Sequence, residues 1–383
     1  MRITIVIGAF LPLPPGPAGA VERRWYHTGL TLAALGHDVT FVSRSYAGQE
    51  PDETNDRVRF IRRSGFSRTG WVYFDLLKDL LYSIRILFAL PDADVVVMNV
   101  FWLPVLAAFF KPRAGKVAIN VARVPKGQMW LYRRCARLAA CSQAIRDDIA
   151  AQCPDVIPIT RVLPNPVNTN VFTPPPNGRD YSGQRTIVFT GRVHPEKGLP
   201  VLIEAFARLC KSDPNLRLRI VGPWRPELGG GGERFLRELK QKAEGLPMQF
   251  DEPIHEPAKL AEVLQQAHYY CYPTFADKGE ASPVAPKEAM ATGLAPVVSN
   301  IPQFRDFIED GVHGIYFDYR SPDVVGELTA ALRKLIDNPE LAQRMGEAAA
   351  RRAHEFSYTA VAQKWIADFK ELLGAEPLAQ EPA

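Results

Sequence analysis

The chain is predicted to fold as α/β, in two halves that each carry a parallel sheet covered by helices. Three observations predict this. Short runs of apolar, β-branched residues alternate with longer amphipathic segments, which is the rhythm of βαβ units. A stretch from Val162 to Gly178 holds five prolines and four asparagines and breaks the rhythm, because such a composition suits neither a helix nor a central strand. Beyond it the same alternation resumes. A length of 383 residues agrees with two domains, on a prior of one domain per ~150 residues.

In the first half, Ile3–Ile7, Val39–Val42, Val95–Met98 and Val117–Val121 are apolar throughout, as strands buried on both faces are. Arg23–Leu35 reads as a helix between the first two. Phe74–Leu90 reads as a helix before the third, with Leu76, Leu77, Leu80, Leu81, Ile84 and Leu87 at helical spacing. In the second half, Thr186–Thr190, Leu216–Val221, His268–Tyr272, Pro296–Ser299 and Ile315–Phe317 read as strands. Leu199–Cys210, Pro257–Gln266 and Pro322–Asp337 read as helices, the first with Leu199, Leu202, Ile203, Phe206 and Leu209 on one face. Tyr358–Leu373 is a late amphipathic helix, and the small, acidic, proline-containing tail from Ala375 is expected to be disordered. The expected domains are residues 1–175 joined by the helix at 358–374, residues 176–357, and the tail 375–383.

Composition excludes several classes. The formal charge of +4 is too mild to indicate a nucleic-acid partner. The five cysteines are odd in number and contain no C-x-x-C pair, which argues against a disulfide framework or a zinc site and fits a reducing compartment. Met1–Gly8 runs directly into a strand-like segment, too short for a secretory apolar region, and no stretch of 18 apolar residues is present. A cytoplasmic protein is expected.

Two motifs carry candidate chemistry. Gly191-Arg-Val-His-Pro-Glu-Lys-Gly198 follows a predicted strand and precedes a helix. In an open parallel sheet, ligands sit at the carboxyl ends of strands, beside helix N-termini that favour anions. Arg192 and Lys197 add a planar fork and a mobile point charge, a set that suits a diphosphate. Glu280 and Glu288 stand eight positions apart after another strand, across the entry to a helix. A carboxylate accepts from two vicinal hydroxyls, so Glu288 suits a ribose diol and Glu280 suits sugar hydroxyls. On spacing alone, solvated loop lysines and arginines and an ordinary first-turn glutamate remain alternatives. No His, Asp or Glu set has metal-ligand spacing, so neither a metal nor another cofactor is expected.

The ordered set of motifs resembles the retaining family 4 glycosyltransferases of the GT-B fold, the glycosyl transferases group 1. Gly191–Gly198, Glu280-x7-Glu288 and Ala289–Val298 resemble that family's donor half. Gly19–Arg23, Leu30–Thr40 and Leu163–Phe172 resemble its first loop, first helix and interdomain segment. The resemblance covers nearly the whole chain. It implies two facing Rossmann-like domains with an interdomain cleft, the second holding a nucleotide-sugar and the first supplying the acceptor site. It implies transfer of the sugar, such as from a UDP-sugar or GDP-sugar, to a hydroxyl acceptor, with retention, in glycan, glycolipid or surface polysaccharide synthesis. Arg192 and Lys197 would hold the diphosphate, Glu288 the ribose, and Glu280 the transferred sugar. Ser282, Pro283 and Val284 would border sugar and phosphate. Gly16 and Gly19 would allow close approach to the donor, and Gly222 and Ile254 would lie near the base.

Three departures from the family pattern stand out. Ala281, Ser282 and Pro283 replace the usual glycines. Arg123 and Lys126 occupy the region where many members place a histidine, and either take over near the donor sugar, contact an anionic acceptor or are simply solvated. Trp224-Arg225 and Gly229–Gly232 replace a compact glycine turn, the glycines reading as a mobile loop without chemistry. A nucleotide-sugar epimerase on the same fold and a non-catalytic nucleotide-sugar-binding protein are the alternatives. His27 and His37 are left out of the site. Arg57, Arg59, Arg62, Arg63 and Arg68 precede the amphipathic Trp71–Leu90 segment. They suggest peripheral contact with anionic lipid at the inner face of the membrane, set against a solvated edge beside a core-facing helix, which Leu77, Leu80, Leu81 and Ile84 favour. Base, sugar, acceptor and oligomeric state are left open.

Overall fold

Strands that are apolar on both faces must be covered on both sides, and this requirement organises the computed structural model, which describes residues 1–14 and 18–374. The chain divides into two α/β units, one formed by Met1–Pro166 with the segment from Tyr358, the other by Val167–Ser357. Gly16 and the tail from Ala375 lie outside the described residues.

The first unit contains β1 (Arg2–Val6), β2 (Asp38–Arg44), β3 (Asp52–Asn55), β4 (Val58–Arg63), β5 (Val95–Met98), β6 (Lys116–Val121), β7 (Arg137–Ala140) and β8 (Thr160–Val162). They form one sheet in the order β3-β4-β2-β1-β5-β6-β7-β8. Every pair is parallel except β3 with β4 at the edge. Its helices are α1 (Ala20–Ala34), α2 (Val72–Ala89), α3 (Leu103–Phe110) and α4 (Gln143–Gln152). The second unit contains β9 (Arg185–Thr190), β10 (Leu216–Val221), β11 (Met248–Asp251), β12 (Tyr269–Tyr272), β13 (Pro296–Ser299) and β14 (Ile315–Phe317). Its sheet, β11-β10-β9-β12-β13-β14, is parallel throughout. Around it lie α5 (Leu199–Ser212), α6 (Gly232–Lys242), α7 (Pro257–Gln266), α8 (Ala285–Ala291), α9 (Val324–Ile336) and α10 (Pro339–His354). In α5 the apolar residues at spacings of three and four, Leu199, Leu202, Ile203, Phe206 and Leu209, are all buried. Burial of each such side chain is worth roughly 1.5–3 kcal/mol relative to exposure.

The passage between units falls after Pro166, earlier than the boundary at 175 that the proline content suggests. The reason is local. The Val167 N–H donates to the Phe356 carbonyl at 2.8 Å, and Val167 and Phe172 are already buried in the second core. At the other end, α11 (Tyr358–Leu372) returns the chain to the first unit. Val361, Trp365 and Phe369 join the first core, with Trp365 edge-on to Trp25 at 5.2 Å. Beside them Arg137 and Asp368, both buried, form an ion pair at 2.9 Å, and Arg137 reaches Glu371 at 3.0 Å.

In the first unit the arginine cluster follows the edge reading, and the core-facing reading of α2 is corrected. The arginine cluster is a strand edge: Arg57 pairs with Asp38, Arg62 is buried against Glu53, and Arg63 pairs with Asp52. Three of its five charges are thus paired within the sheet, while Arg59 and Arg68 are exposed. Helix α2 is turned over relative to expectation. Asp79, Tyr82, Ser83 and Ile86 face inward, whereas Leu77, Leu81 and Ile84 are 52%, 48% and 42% exposed, and Leu80 is half-buried. Asp79 causes this. Its Oδ2 accepts the N–H groups of Phe101 and Trp102, each at 3.1 Å, at the entrance to α3, satisfying donors that a helix start leaves unpaired. The Trp102 indole N–H donates to the Leu76 carbonyl at 3.1 Å, and the Tyr82 hydroxyl to the Ile7 carbonyl at 3.3 Å. These polar contacts outrank the leucine stripe in choosing the buried face.

Removing Asp368 leaves the buried Arg137 with only the exposed Glu371 as a counter-ion. Asp368→Ala is expected to cost about 3 kcal/mol or more of unfolding free energy. The double variant Arg137→Met/Asp368→Leu is expected to cost less than the single one, as measured by denaturant titration.

Candidate active site

In the second sheet the order changes direction beside β9, whose neighbours are β10 and β12. Loops leaving the carboxyl ends of β9 and β12 therefore diverge from a topological switch point, the position at which open α/β sheets bind ligands. The β9 loop ends in a short turn, Pro195–Lys197, closed by Gly198 with φ of 66°. A Cβ on Gly198 would lie 2.0 Å from the Pro273 carbonyl oxygen, so only glycine lets the two loops touch. They are also bonded: the Phe275 N–H donates to the Glu196 carbonyl at 2.7 Å, and Thr274 Oγ1 lies 3.3 Å from the same oxygen.

This contact brings Lys197 onto Glu280, both buried. Lys197 Nζ bonds Glu280 Oε1 and lies 5.3 Å from the centre of the Tyr272 ring. The Tyr272 hydroxyl donates to the same Oε1 at 3.0 Å, and Thr274 Oγ1 at 3.2 Å. Burial and the Glu280 charge hold the Tyr272 phenol well above its ordinary pKa, so it remains a donor. The described donors all converge on Oε1, and Oε2 receives none of them. The carboxylate is thus anchored by one oxygen and presents the other.

Arg192 joins through Glu196. Its guanidinium bonds Glu196 Oε1 and donates to the Gly229 carbonyl at 2.9 Å, while Glu196 lies 3.6 Å from Lys197 Nζ. Two cations and two carboxylates so form one cluster, with Arg192 at its more exposed end. Glu196, Tyr272 and Thr274 are the members missed from sequence. Glu196 was open to detection, since it stands inside the same short motif between two cations. The Gly229–Gly232 run is not the mobile loop expected. Gly229 carries the carbonyl that holds Arg192, the Gly231 N–H donates to the Val193 carbonyl at 2.8 Å, and the Gly232 N–H to the Trp224 carbonyl at 2.8 Å.

Glu288 occupies the first turn of α8, half-buried. Its carboxylate accepts no hydrogen bond from a described side chain, and burial pushes its pKa from 4.5 to about 7. Next to it, Lys287 is fully buried between the rings of Phe307 and Phe356, each 4.8 Å from Nζ, and donates to Ser282 Oγ at 3.1 Å. Lys287 was not foreseen, and it fixes Ser282 beside the buried Pro283 and the half-buried Val284. Gly222 has φ of 152°, and a Cβ there would lie 1.8 Å from the Gly191 carbonyl oxygen. It packs the β10 loop directly on the β9 loop. Ile254 lies after β11, half-buried against the second core.

Two surface cavities in this unit lie elsewhere. One of about 440 Å³ is at the amino ends of β9, β10 and β11, lined in part by Thr186, Arg217 and Met248. One of about 570 Å³ lies beside β14, lined in part by Arg305, His313 and Tyr316. Neither is lined by the cluster residues. Among the described residues no three His, Cys, Asp or Glu side chains form a metal-holding group.

Residues 175–352 match the family model of the glycosyl transferases group 1, and residues 21–171 match that of Glycosyltransferase Family 4. The chain belongs to the group 1/family 4 glycosyltransferases. A glycogen synthase of Mycobacterium tuberculosis is 26% identical over 96% of this chain and 95% of its own length. Among solved structures, a sucrose-phosphate synthase from Thermosynechococcus elongatus superposes with a TM-score of 0.76 at 17% identity, covering 98% of this chain and 100% of that one. HepE of Anabaena, in complex with UDP and glucose, superposes with a TM-score of 0.69 at 15% identity, covering 97% and 100%. At these identities the likeness is one of fold, and that fold is GT-B.

In this glycosyltransferase the Arg192–Glu280 cluster and Glu288 fall within the group 1 region. Arg123 and Lys126 fall within the family 4 region, in the loop after β6, and both are exposed. Gly19 is the N-cap of α1 in the same unit, with the Glu22 carboxylate folded back against it.

Because the Glu288 carboxyl titrates near 7 when folded and near 4.5 when unfolded, the folded state holds the proton more tightly. The associated stability is present in full below about 4.5 and is lost as pH rises through about 7. Glu288→Gln is therefore expected to leave the melting temperature unchanged near the lower value. Above the upper one it is expected to stabilise by on the order of 1–3 kcal/mol. Gly222→Ala is expected to cost about 2 kcal/mol or more, by strain and overlap with Gly191, as measured by denaturant unfolding.

Proposed function

We propose that this glycosyltransferase moves a sugar from a nucleoside-diphosphate-sugar to a hydroxyl acceptor with retention of anomeric configuration, in glycan, glycolipid or surface polysaccharide synthesis. The observation that carries the reading is the Glu280 carboxylate, anchored at Oε1 by Lys197, Tyr272 and Thr274 with Oε2 presented. A rigid acceptor atom of this kind suits a hydroxyl of the transferred sugar. Glu288, with no described partner and a raised pKa, suits the two ribose hydroxyls, which would supply the donors it lacks.

Arg192 and Lys197 are assigned to the diphosphate. Glu196 pairs with the Arg192 guanidinium. A diphosphate brings charge of the same sign, two negative charges against the one of Glu196, so donor binding exchanges one anion for another at Arg192. As the bond from the anomeric carbon to the phosphate oxygen breaks, charge grows on that oxygen. Preorganised cations stabilise it there without reorganisation. The acceptor oxygen forms its bond on the face the phosphate leaves, and its proton passes to the departing phosphate oxygen, which balances the step and retains configuration. Arg123 and Lys126 are assigned to the acceptor. The related HepE structure with UDP and glucose supports a uridine donor. No disulfide joins the five cysteines among the described residues, which fits a reducing compartment, and the reading places the enzyme in the cytoplasm, peripheral to a membrane.

A thermal-shift panel of UDP- and GDP-sugars tests the donor, because a ligand that binds only the folded state raises the melting temperature. At least one is expected to do so, and no shift with any member overturns the reading. Glu288→Ala is expected to weaken donor binding roughly tenfold, and Lys197→Ala to lower kcat by about a hundredfold with a smaller change in KM. A Lys197→Ala enzyme with unchanged kcat refutes the role given to that lysine.

A further inference from the structure

The outward face of α2 has no covering element among the described residues. Phe74, Leu77, Leu81, Ile84 and Phe88 recur at spacings of three and four and are 60%, 52%, 48%, 42% and 82% exposed. Trp71 and Tyr73, at the start of the helix, are more exposed than most of these. A rise of 1.5 Å per residue makes the stripe roughly 25 Å long. Helix α3 extends it. Asp79 fixes the start of α3, and Lys111 Nζ donates to the carbonyls of Leu87 and Leu90 at 3.1 and 2.5 Å at its end. The two helices therefore run side by side, and Phe109 and Phe110, 53% and 74% exposed, lie at the same end as Phe88. Scattered apolar residues on a surface are ordinary, but a continuous aromatic and aliphatic stripe of this size marks an interaction site.

The flanking charge selects the partner. Arg68, Lys78, Arg85 and Arg134 border the stripe; Arg68 and Lys78 lie near Asp75, and Arg68 also near Glu22. Lys78 donates to the Ser67 carbonyl at 2.7 Å, Arg85 lies over the Phe66 ring, and Arg134 lies over the Phe109 ring at 4.3 Å. The acidic residues of α2 are engaged: Asp79 is buried under α3, and Asp75 accepts from Thr69 at 2.8 and 2.9 Å. A broad apolar face with tryptophan and phenylalanine, bordered by more cations than carboxylates, matches a helix lying in the interface of an anionic bilayer. It is not a spanning helix, since no described helix is long and apolar enough to cross a membrane.

We infer that the α2–α3 face docks the protein on the surface of an anionic phospholipid bilayer, with the α2 stripe in the headgroup boundary and the bordering cations on phosphate. This rests on the face itself and not on the identity of the donor or acceptor. Flotation of the full chain with vesicles tests it. Vesicles of phosphatidylcholine with about 30% phosphatidylglycerol are expected to bind about tenfold more protein than phosphatidylcholine alone, and added salt is expected to weaken binding. Leu81→Asp/Phe88→Asp is expected to reduce binding about tenfold with an unchanged melting temperature. The milder Leu81→Ser/Phe88→Ser should show the same trend, which guards against a folding defect. No binding to either vesicle overturns the inference. So does a wild-type dimer that the aspartate variant dissociates without any vesicle binding, because a second copy then covers the face.

Discussion

The contact between Lys197 and Glu280 is the constraint on which the site depends. It joins loops from two adjacent parallel strands, 83 residues apart in sequence. It exists because Gly198 lets one loop rest on the carbonyl of Pro273 and because the Glu196 backbone accepts from the other. A buried ammonium and a buried carboxylate each carry a heavy desolvation cost alone. Together, with a phenol and a hydroxyl completing the carboxylate's shell at Oε1, they form a satisfied polar group in a water-poor position. The same arrangement immobilises Glu280 without consuming Oε2.

Charge balance follows from the same geometry. The residues read from sequence as a pair of diphosphate-binding cations are, in the folded chain, half of a four-membered cluster closed by Glu196 and Glu280. A buried Lys197 beside the half-buried Arg192 would be costly to maintain without counter-ions, and the carboxylates remove that cost. Arg192, the more exposed member, is the one whose partner an incoming anion can replace. Glu288 represents the opposite solution: a carboxylate buried without a donor, kept partly neutral by its surroundings. One α/β unit therefore places an anchored carboxylate and an unanchored one in consecutive loop and helix, a contrast that suits two different kinds of hydroxyl.

The first unit shows how polar contacts override hydrophobic pattern. The leucines of α2 are spaced for a core, yet Asp79 is the residue that goes inside, because the start of α3 needs an acceptor for two N–H groups. The arginines just upstream are spaced like a cationic patch, yet most are committed to a sheet edge. A pattern records what a residue prefers on average, and a capping carboxylate outweighed several leucines here.

The α/β class, the existence of a break within the proline-rich stretch, though not its place after Pro166, and the strands that are apolar on both faces were legible in the sequence, because burial on both sides leaves a continuous apolar signature. So was the association of Arg192, Lys197 and Glu280, since loops after neighbouring strands must leave the same end of a sheet. Elements with weak signatures escaped. Helix α10 packs through Ala342, Gly346, Ala349 and Ala353, small residues that carry little hydrophobic contrast. Strand β4 hid beneath its arginines. What only the tertiary structure decided was partnership: that Glu196 closes on Arg192, that Lys287 lies between Phe307 and Phe356, and that α2 turns its apolar stripe outward. Each of these depends on which residues distant in the chain come within a few ångströms, a property that no local pattern encodes.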